Sequence, residues 1–355
     1  MRIHADAIER YLRRSGYPDA RIDDVVGLGR DPDQAEKAYG YGCPWKVQFS
    51  SRGQRHEVVL RTMSANPFGH DRRSDRLCGL LLAFDTFGQI PRHIEAHDVG
   101  IVDEDGELRS IPRGEPFLVT SFVPGTLYAD DLHGLPDTAS DRDLARAESL
   151  ARYLRDLHAA PADPATYVRS LRDTFGHGEG ILGLCDSYPA TDPVATPARL
   201  LRLQQAALEL HWQFKQRGER ARRTHGDFHP FNILFTADNS LAVLDCSRGA
   251  AGDPADDVTC LSINYLFFAL LQSGSFSGAY RDIWNRFWAT YLDGQPDPEL
   301  LAIAPLFFAW RALVLASPLW YPDVDRGLRD LILQFAERLL EGVPFVPERV
   351  DEVLR

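Results

Sequence analysis

The chain of 355 residues is 44% hydrophobic and 25% charged, an ordinary globular composition with enough length for a large core in two lobes. Its net charge of −12 argues against nucleic acid as a partner, and it permits a cationic substrate without requiring one. The five cysteines (Cys43, Cys78, Cys185, Cys246, Cys260) are scattered with no CxxC pair. That argues against a zinc site or a disulfide framework and for a reducing, cytoplasmic setting. The first residues, MRIHADAIERYL, are polar and hold no apolar signal core. The most apolar stretch, 261–271, is too short to span a bilayer, so no membrane is expected.

The first predicted element is a short amphipathic helix over 5–15, with Ile8, Tyr11 and Leu12 on one face and Gly16 ending it. A strand over 23–28 follows, then a polar segment, GRDPDQAEKAYGYG, whose glycines at 29, 40 and 42 serve plain turns or a cover over phosphates. Segments 45–50 and 56–61 read as a hairpin closed by Ser51-Arg52-Gly53-Gln54, with Arg61 at its end. HDRRSDRLCGLLLAFDTFG reads as a helix that offers Asp71 and Asp75. Strands are expected over 93–99 and 117–123, with a turn at Asp103-Glu104-Asp105-Gly106 between them. Gly125 breaks that pattern, and the domain boundary is placed at 122/123.

Beyond it the chain reads as mainly helical. A helix over 140–159 has Ser140 as N-cap and Leu144, Ala147, Ala151, Leu154 and Leu157 as its apolar stripe. His158, at its end beside that stripe, reads as a structural hydrogen-bonder. The stretch 161–197 is rich in Gly, Asp and Pro and reads as a surface loop carrying His177 and Glu179. A helix over 197–217 follows, and four more are expected at 261–271, 279–292, 300–315 and 325–340. Arg311 lies inside an apolar helix, which is costly unless it is paired. It holds a structural carboxylate or faces an anionic substrate group. Trp310, Trp320 and Tyr321 are core or pocket lining.

The most informative stretch is HGDFHPFNILFTADNSLAVLDCSRGAAGDPADD, residues 225–257, with six acidic residues against one basic, Arg248. Ile233-Leu234-Phe235 and Leu241-Ala242-Val243-Leu244 flank the turn residues Asp238-Asn239-Ser240, so the pair reads as an antiparallel hairpin. Such a hairpin sets the start of one strand beside the end of the other, which brings Asn232 opposite Asp245 with Asp227 nearby. Phosphoryl transfer needs a carboxylate to orient a hydroxyl and accept its proton, and hard oxygen ligands for Mg²⁺ on the nucleotide. The order Asp-x4-Asn followed by a strand-ending Asp matches the catalytic-loop and metal-Asp arrangement of kinases.

HGDFHPFNILF resembles the HGDLHPGNIL signature of the aminoglycoside phosphotransferase and choline kinase family, and LDCSRGAAGDPADDV resembles that family's IDWEDAGIGDPAYDLA. Phe231 stands in place of the usual small residue, and Cys246-Ser247 in place of Trp-Glu. The resemblance implies a two-lobed protein-kinase-like α+β fold, with a mostly antiparallel N-lobe over 1–122 that binds nucleotide and a larger helical C-lobe over 123–355. It implies Asp227 as the catalytic carboxylate and Asn232 and Asp245 as ligands of Mg²⁺. In the N-lobe it implies Arg61 on the phosphates of ATP or GTP, Asp75 in place of the helix Glu that pairs with it, and Ser121, Phe122 and Val123 against the nucleobase. His177, Glu179, Asp257 and Arg311 are the substrate-side candidates, with Asp253 and Asp257 also placed to buttress the loop. The implied reaction moves the γ-phosphate to a hydroxyl of a small molecule (aminoglycoside-like, another antibiotic, an amino alcohol or a sugar). Two alternatives share the scaffold: a pseudokinase-like nucleotide- or metabolite-binding module, and nucleotidyl transfer.

Overall fold

A computed structural model of the chain describes residues 4–28, 42, 44–111, 113–246, 248–293 and 297–354. These fall in two compact units, Met1–Thr120 and Ser121–Arg355. The architecture is α+β, an antiparallel sheet unit followed by a larger helical unit.

In the first unit, helix α1 (Ala5–Arg14) buries Ala7, Ile8 and Leu12, the apolar face its spacing predicts. Strands β1 (Arg21–Gly27), β2 (Pro44–Ser51) and β3 (Gln54–Arg61) form an antiparallel sheet in that order. Arg52 and Gly53 link β2 to β3 with φ of 51° and 71°. Left-handed backbone at both positions is what a two-residue hairpin requires, and Gly53 adopts it freely. Val47 and Phe49 point from β2 into the small core with Ile8 and Leu12. Helix α2 (Arg73–Thr86) has no fully buried residue. Strands β4 (Gly100–Val102) and β5 (Leu108–Ser110) close a small hairpin over the expected turn, where Gly106 N–H donates to the Asp103 carbonyl at 3.0 Å. The polar segment with glycines at 29 and 40 lies outside the described residues.

Two expectations fail here. Segments 93–99 and 117–123 form no strand. Phe117, Leu118, Val119 and Phe122 are exposed at 90, 87, 81 and 89%. An apolar run becomes a strand only where a neighbour takes its N–H and C=O groups, and the described ladders pair β1, β2 and β3 with one another alone.

The second unit opens with β6 (Thr126–Leu127), then α3 (Tyr128–His133), α4 (Asp141–His158), α5 (Pro164–Gly176), α6 (Ile181–Ser187) and α7 (Pro197–Phe214). Strands β7 (Ile233–Phe235) and β8 (Leu241–Val243) form the expected hairpin, and β6 adds a third strand on the outer side of β7. Helices α8 (Pro254–Ser273), α9 (Gly278–Leu292), α10 (Pro298–Leu315), α11 (Arg326–Leu340) and α12 (Asp351–Leu354) complete it. Ser140 caps α4 by accepting the Asp143 N–H, as the sequence predicts.

The expected loop over 161–197 is corrected: it contains α5 and α6. Asp163 caps α5 by accepting the Ala165 N–H at 2.9 Å, Pro164 occupies its first turn, and Tyr167, Leu171 and Thr174 form its buried stripe. The glycine content hid these local signals. Helix α8 is buried on every side from Pro254 to Leu270 and packs on α9 and α10. By length and composition α10 is apolar enough to cross a membrane, yet 72% of it is buried inside the protein, against α8 and α11.

Candidate active site

The loop before β7 is tied down from α8. Asp253 caps α8 and also takes a fork of Arg220, Nε to Oδ2 at 2.7 Å and Nη2 to Oδ1 at 2.9 Å, with Tyr167 Oη donating at 2.8 Å. One turn on, Asp257 is 0% exposed. Its Oδ1 accepts the Gly226 N–H at 2.8 Å, and its Oδ2 accepts the His225 N–H at 2.8 Å and faces His158 Nε2 at 3.0 Å. His158 Nδ1 lies 2.8 Å from Tyr291 Oη. His158 thus has the structural role its position suggested. The substrate-side placement of Asp257 is corrected: it is sealed inside the protein and holds the loop backbone. Gly226 sits at φ 81°, where a side chain would be strained. That left-handed residue turns the chain so that Asp227 follows a loop pinned at two consecutive N–H groups.

The Asp227 carboxylate is held asymmetrically. Its Oδ1 is 2.6 Å from Arg248 Nη1 and 2.8 Å from Arg311 Nη1. Its Oδ2 faces His229 Nε2 at 3.5 Å. His229 Nδ1 accepts the Phe231 N–H at 3.2 Å, which puts the ring proton on the nitrogen nearer Asp227. Burial alone would push the Asp227 carboxyl up. His229, Arg311 and Arg248 outweigh it and hold the group well below the usual carboxylate range.

Both guanidinium groups lie against the Trp310 ring, Arg311 at 3.9 Å and Arg248 at 4.9 Å from its centroid. Arg311 Nη2 also contacts Asp256 Oδ1 at 2.6 Å and donates to the Gly226 carbonyl at 3.2 Å. Burial pushes the Asp256 carboxyl above its ordinary range although Arg311 pulls it back. Arg248 Nη2 reaches Glu179 Oε2 at 3.3 Å, and Trp310 Nε1 donates to the Glu179 carbonyl at 2.7 Å. The buried arginine expected to hold a carboxylate or to face a substrate anion therefore holds two carboxylates.

Asn232 and Asp245 meet at one end of the β7–β8 hairpin. Leu244 N–H donates to the Asn232 carbonyl at 2.8 Å, so Asp245 follows directly after the rung that faces Asn232. Asn232 Nδ2 donates to the Asp227 carbonyl at 3.1 Å, and the amide oxygen remains to serve a cation. Asp245 is exposed and has φ 52°, a left-handed conformation that aspartate tolerates better than most residues. Among the described residues no three His, Cys, Asp or Glu stand together as a metal cage. One amide oxygen and one carboxylate fit Mg²⁺, which takes few protein ligands and completes its shell with water and phosphate.

The remaining sequence candidates are placed less tellingly. Arg61 ends β3, exposed and opposite Pro44. Asp75 caps its own helix, its Oδ2 accepting the Arg72 N–H at 2.8 Å. Ser121 and Phe122 are exposed and Val123 is half-buried in irregular chain. His177 is exposed at the end of α5, and Glu179 reaches the site through Arg248. Arg248, Asp256 and Trp310 are the site residues that sequence reasoning did not assign there. The one available signal was Arg248 as the lone base in an acidic stretch.

The profile described as the phosphotransferase enzyme family matches residues 65–298. No curated protein is similar enough to count as a match. Among solved structures, a choline kinase from Streptococcus pneumoniae is similar at 13% identity, covering 94% of this chain and 99% of that one, with a TM-score of 0.36. An aminoglycoside phosphotransferase from Streptomyces rimosus is similar at 17% identity, covering 87% and 99%, TM-score 0.36. A macrolide 2'-phosphotransferase from Brachybacterium faecium is similar at 15% identity, covering 96% and 99%, TM-score 0.28.

Proposed function

The chain belongs to the phosphotransferase enzyme family, and from that premise we propose that it transfers the γ-phosphate of ATP or GTP to a hydroxyl of a small molecule. The observation that carries this reading is the convergence of Asp227, Asn232 and Asp245 at one end of the β7–β8 hairpin. Asp227 presents its Oδ2 to the acceptor hydroxyl, aligns it and takes its proton late in the transfer. Asn232 and Asp245 hold Mg²⁺ through the amide oxygen and a carboxylate. When bound, the ion neutralises charge on the nucleotide phosphates. In the first unit, Arg61 is the proposed phosphate contact and Asp75 its acidic partner; Ser121, Phe122 and Val123, at the start of the second unit, are the proposed nucleobase residues. His177 and Glu179 are the proposed acceptor-side residues. The four described cysteines without disulfides, Cys78, Cys185, Cys246 and Cys260, suit a cytoplasmic enzyme.

The metal assignment has a direct test. Asp245→Ala should fold and bind Mg-ATP more weakly, by at least the roughly tenfold that even outer-shell changes at metal sites cost. Titration calorimetry reads this, and unchanged affinity in a folded variant removes Asp245 from the metal site. Product analysis separates the alternatives. ADP released from Mg-ATP supports the kinase reading, AMP or pyrophosphate supports nucleotidyl transfer, and binding without turnover supports a binding module.

A further inference from the structure

We infer that Arg311, anchored by Asp256, is a positioning residue that fixes which oxygen of Asp227 meets the acceptor; this rests on the reading of Asp227 as the catalytic carboxylate. The two Asp227 oxygens are in unlike surroundings. Oδ1 takes Arg311 at 2.8 Å and Arg248 at 2.6 Å, while Oδ2 has His229 at 3.5 Å. A carboxylate bound through one oxygen cannot rotate about its Cβ–Cγ bond without breaking those contacts, so the other oxygen is presented in one direction.

The two arginines are not equivalent holders. Arg248 shares the Gly226 carbonyl and the Trp310 ring with Arg311, but it is part-exposed and its other carboxylate, Glu179, is exposed on the short link between α5 and α6. Arg311 is 6% exposed and is fixed on several sides. Asp256 is 2.6 Å from its Nη2, the Gly226 carbonyl accepts from the same nitrogen, and the Trp310 ring lies 3.9 Å beneath. Asp256 stands in the first turn of α8. Asp257, the next residue on that helix, holds the His225 and Gly226 N–H groups. One helix turn thus fixes the loop backbone through Asp257 and the Asp227 side chain through Asp256 and Arg311. A planar fork suits this bridge between two carboxylates; a lysine ammonium on a flexible stem reaches one partner at a time.

The test is a double-mutant cycle between positions 311 and 227, read as ADP release from Mg-ATP with water, choline and streptomycin as acceptors in parallel. Arg311→Met should lower kcat on the order of 10²-fold, the size of effect that a misplaced reacting group produces. KM for Mg-ATP should be unchanged, because no nucleotide contact is lost. Arg311→Lys should fall between wild type and Arg311→Met. Combined with Asp227→Asn, Arg311→Met should add little, since a residue acting through Asp227 has nothing left to act on. Asp256→Asn provides a second route should Arg311→Met fail to fold, and it should lower kcat in the same manner with KM retained. A folded Arg311 or Asp256 variant with wild-type kcat overturns the inference, as does a double variant whose losses multiply. If Asp227→Asn alone turns over normally, the reading of Asp227 fails and the inference falls with it. If Asp227→Asn is inactive while the Arg311 variants are fully active, only the inference falls.

Discussion

Asp227→Asn should fold, should still bind Mg-nucleotide, and should lose phosphoryl transfer by at least about 10², the lower end of what a general-base group contributes. The substitution keeps the shape of the side chain and removes its charge. What is lost is the acceptor of a proton and one anionic partner of Arg248 and Arg311. Arg311 retains Asp256 and Arg248 retains Glu179, so neither guanidinium is left without a carboxylate. A carboxylate held below its usual range is a weak base. Its contribution is therefore weighted toward orienting the hydroxyl, with the proton passing only after most of the transfer has occurred. His229 is the control, because its Nε2 lies 3.5 Å from Asp227 Oδ2 but carries the ring proton and so has no lone pair for the acceptor hydroxyl. Its Nδ1 accepts the Phe231 N–H and so helps close the 3₁₀ turn Pro230–Asn232. His229→Gln should accordingly lower the melting temperature more than turnover. Near-normal turnover in Asp227→Asn together with an inactive His229→Gln would reverse these roles. Product formation and thermal melting on the same preparations decide between them.

The parts of this site written in contiguous sequence were readable from it. Asp227, Asn232 and Asp245 could be brought together from a hairpin pattern alone, because Ile233–Phe235 and Leu241–Val243 alternate with turn residues that permit one pairing. The cap Ser140 was legible for the same local reason; the cap Asp253 was not, because the helix it starts was expected only from 261. The partners of Asp227 were not. Arg311 lies 84 positions away on a helix that is apolar on every side, and periodicity says nothing about which face of such a helix meets which neighbour. The high cost of a buried arginine implied a carboxylate without naming Asp256 or Asp227. The composition of the apolar run at 117–123, which crosses from the first unit to the second, predicts a strand. Composition cannot supply the neighbouring strand that a ladder needs, and Phe117 and Phe122 stand exposed. Asp257 splits the two expectations: the buttress reading holds, since backbone donors of the loop are aimed at it, and the substrate-side reading fails, since α8 is buried on every side there.

Asp257→Ala should destabilise the second unit strongly. Three buried donors, the His225 N–H, the Gly226 N–H and His158 Nε2, would lose their acceptor together. No water reaches them, since Asp257 is 0% exposed. A stranded buried donor costs about 1–3 kcal/mol, so the variant should lose about 3 kcal/mol or more, a fall of roughly 6–12 °C in melting temperature for a unit of this size. The effect on function should follow from the same contacts. The Gly226 carbonyl accepts from both Arg248 and Arg311, so releasing the Gly226 N–H also loosens the peptide that precedes Asp227. Asp257→Asn separates the two consequences. Its oxygen can still accept one backbone N–H, while its amide nitrogen would oppose the other donors, so it should recover part of the stability and little of the activity. Thermal melting and ADP release on both variants test this. A melting temperature for Asp257→Ala within a degree or two of wild type would show that the loop does not depend on α8 for its shape, and the account of how Asp227 is held would need another anchor.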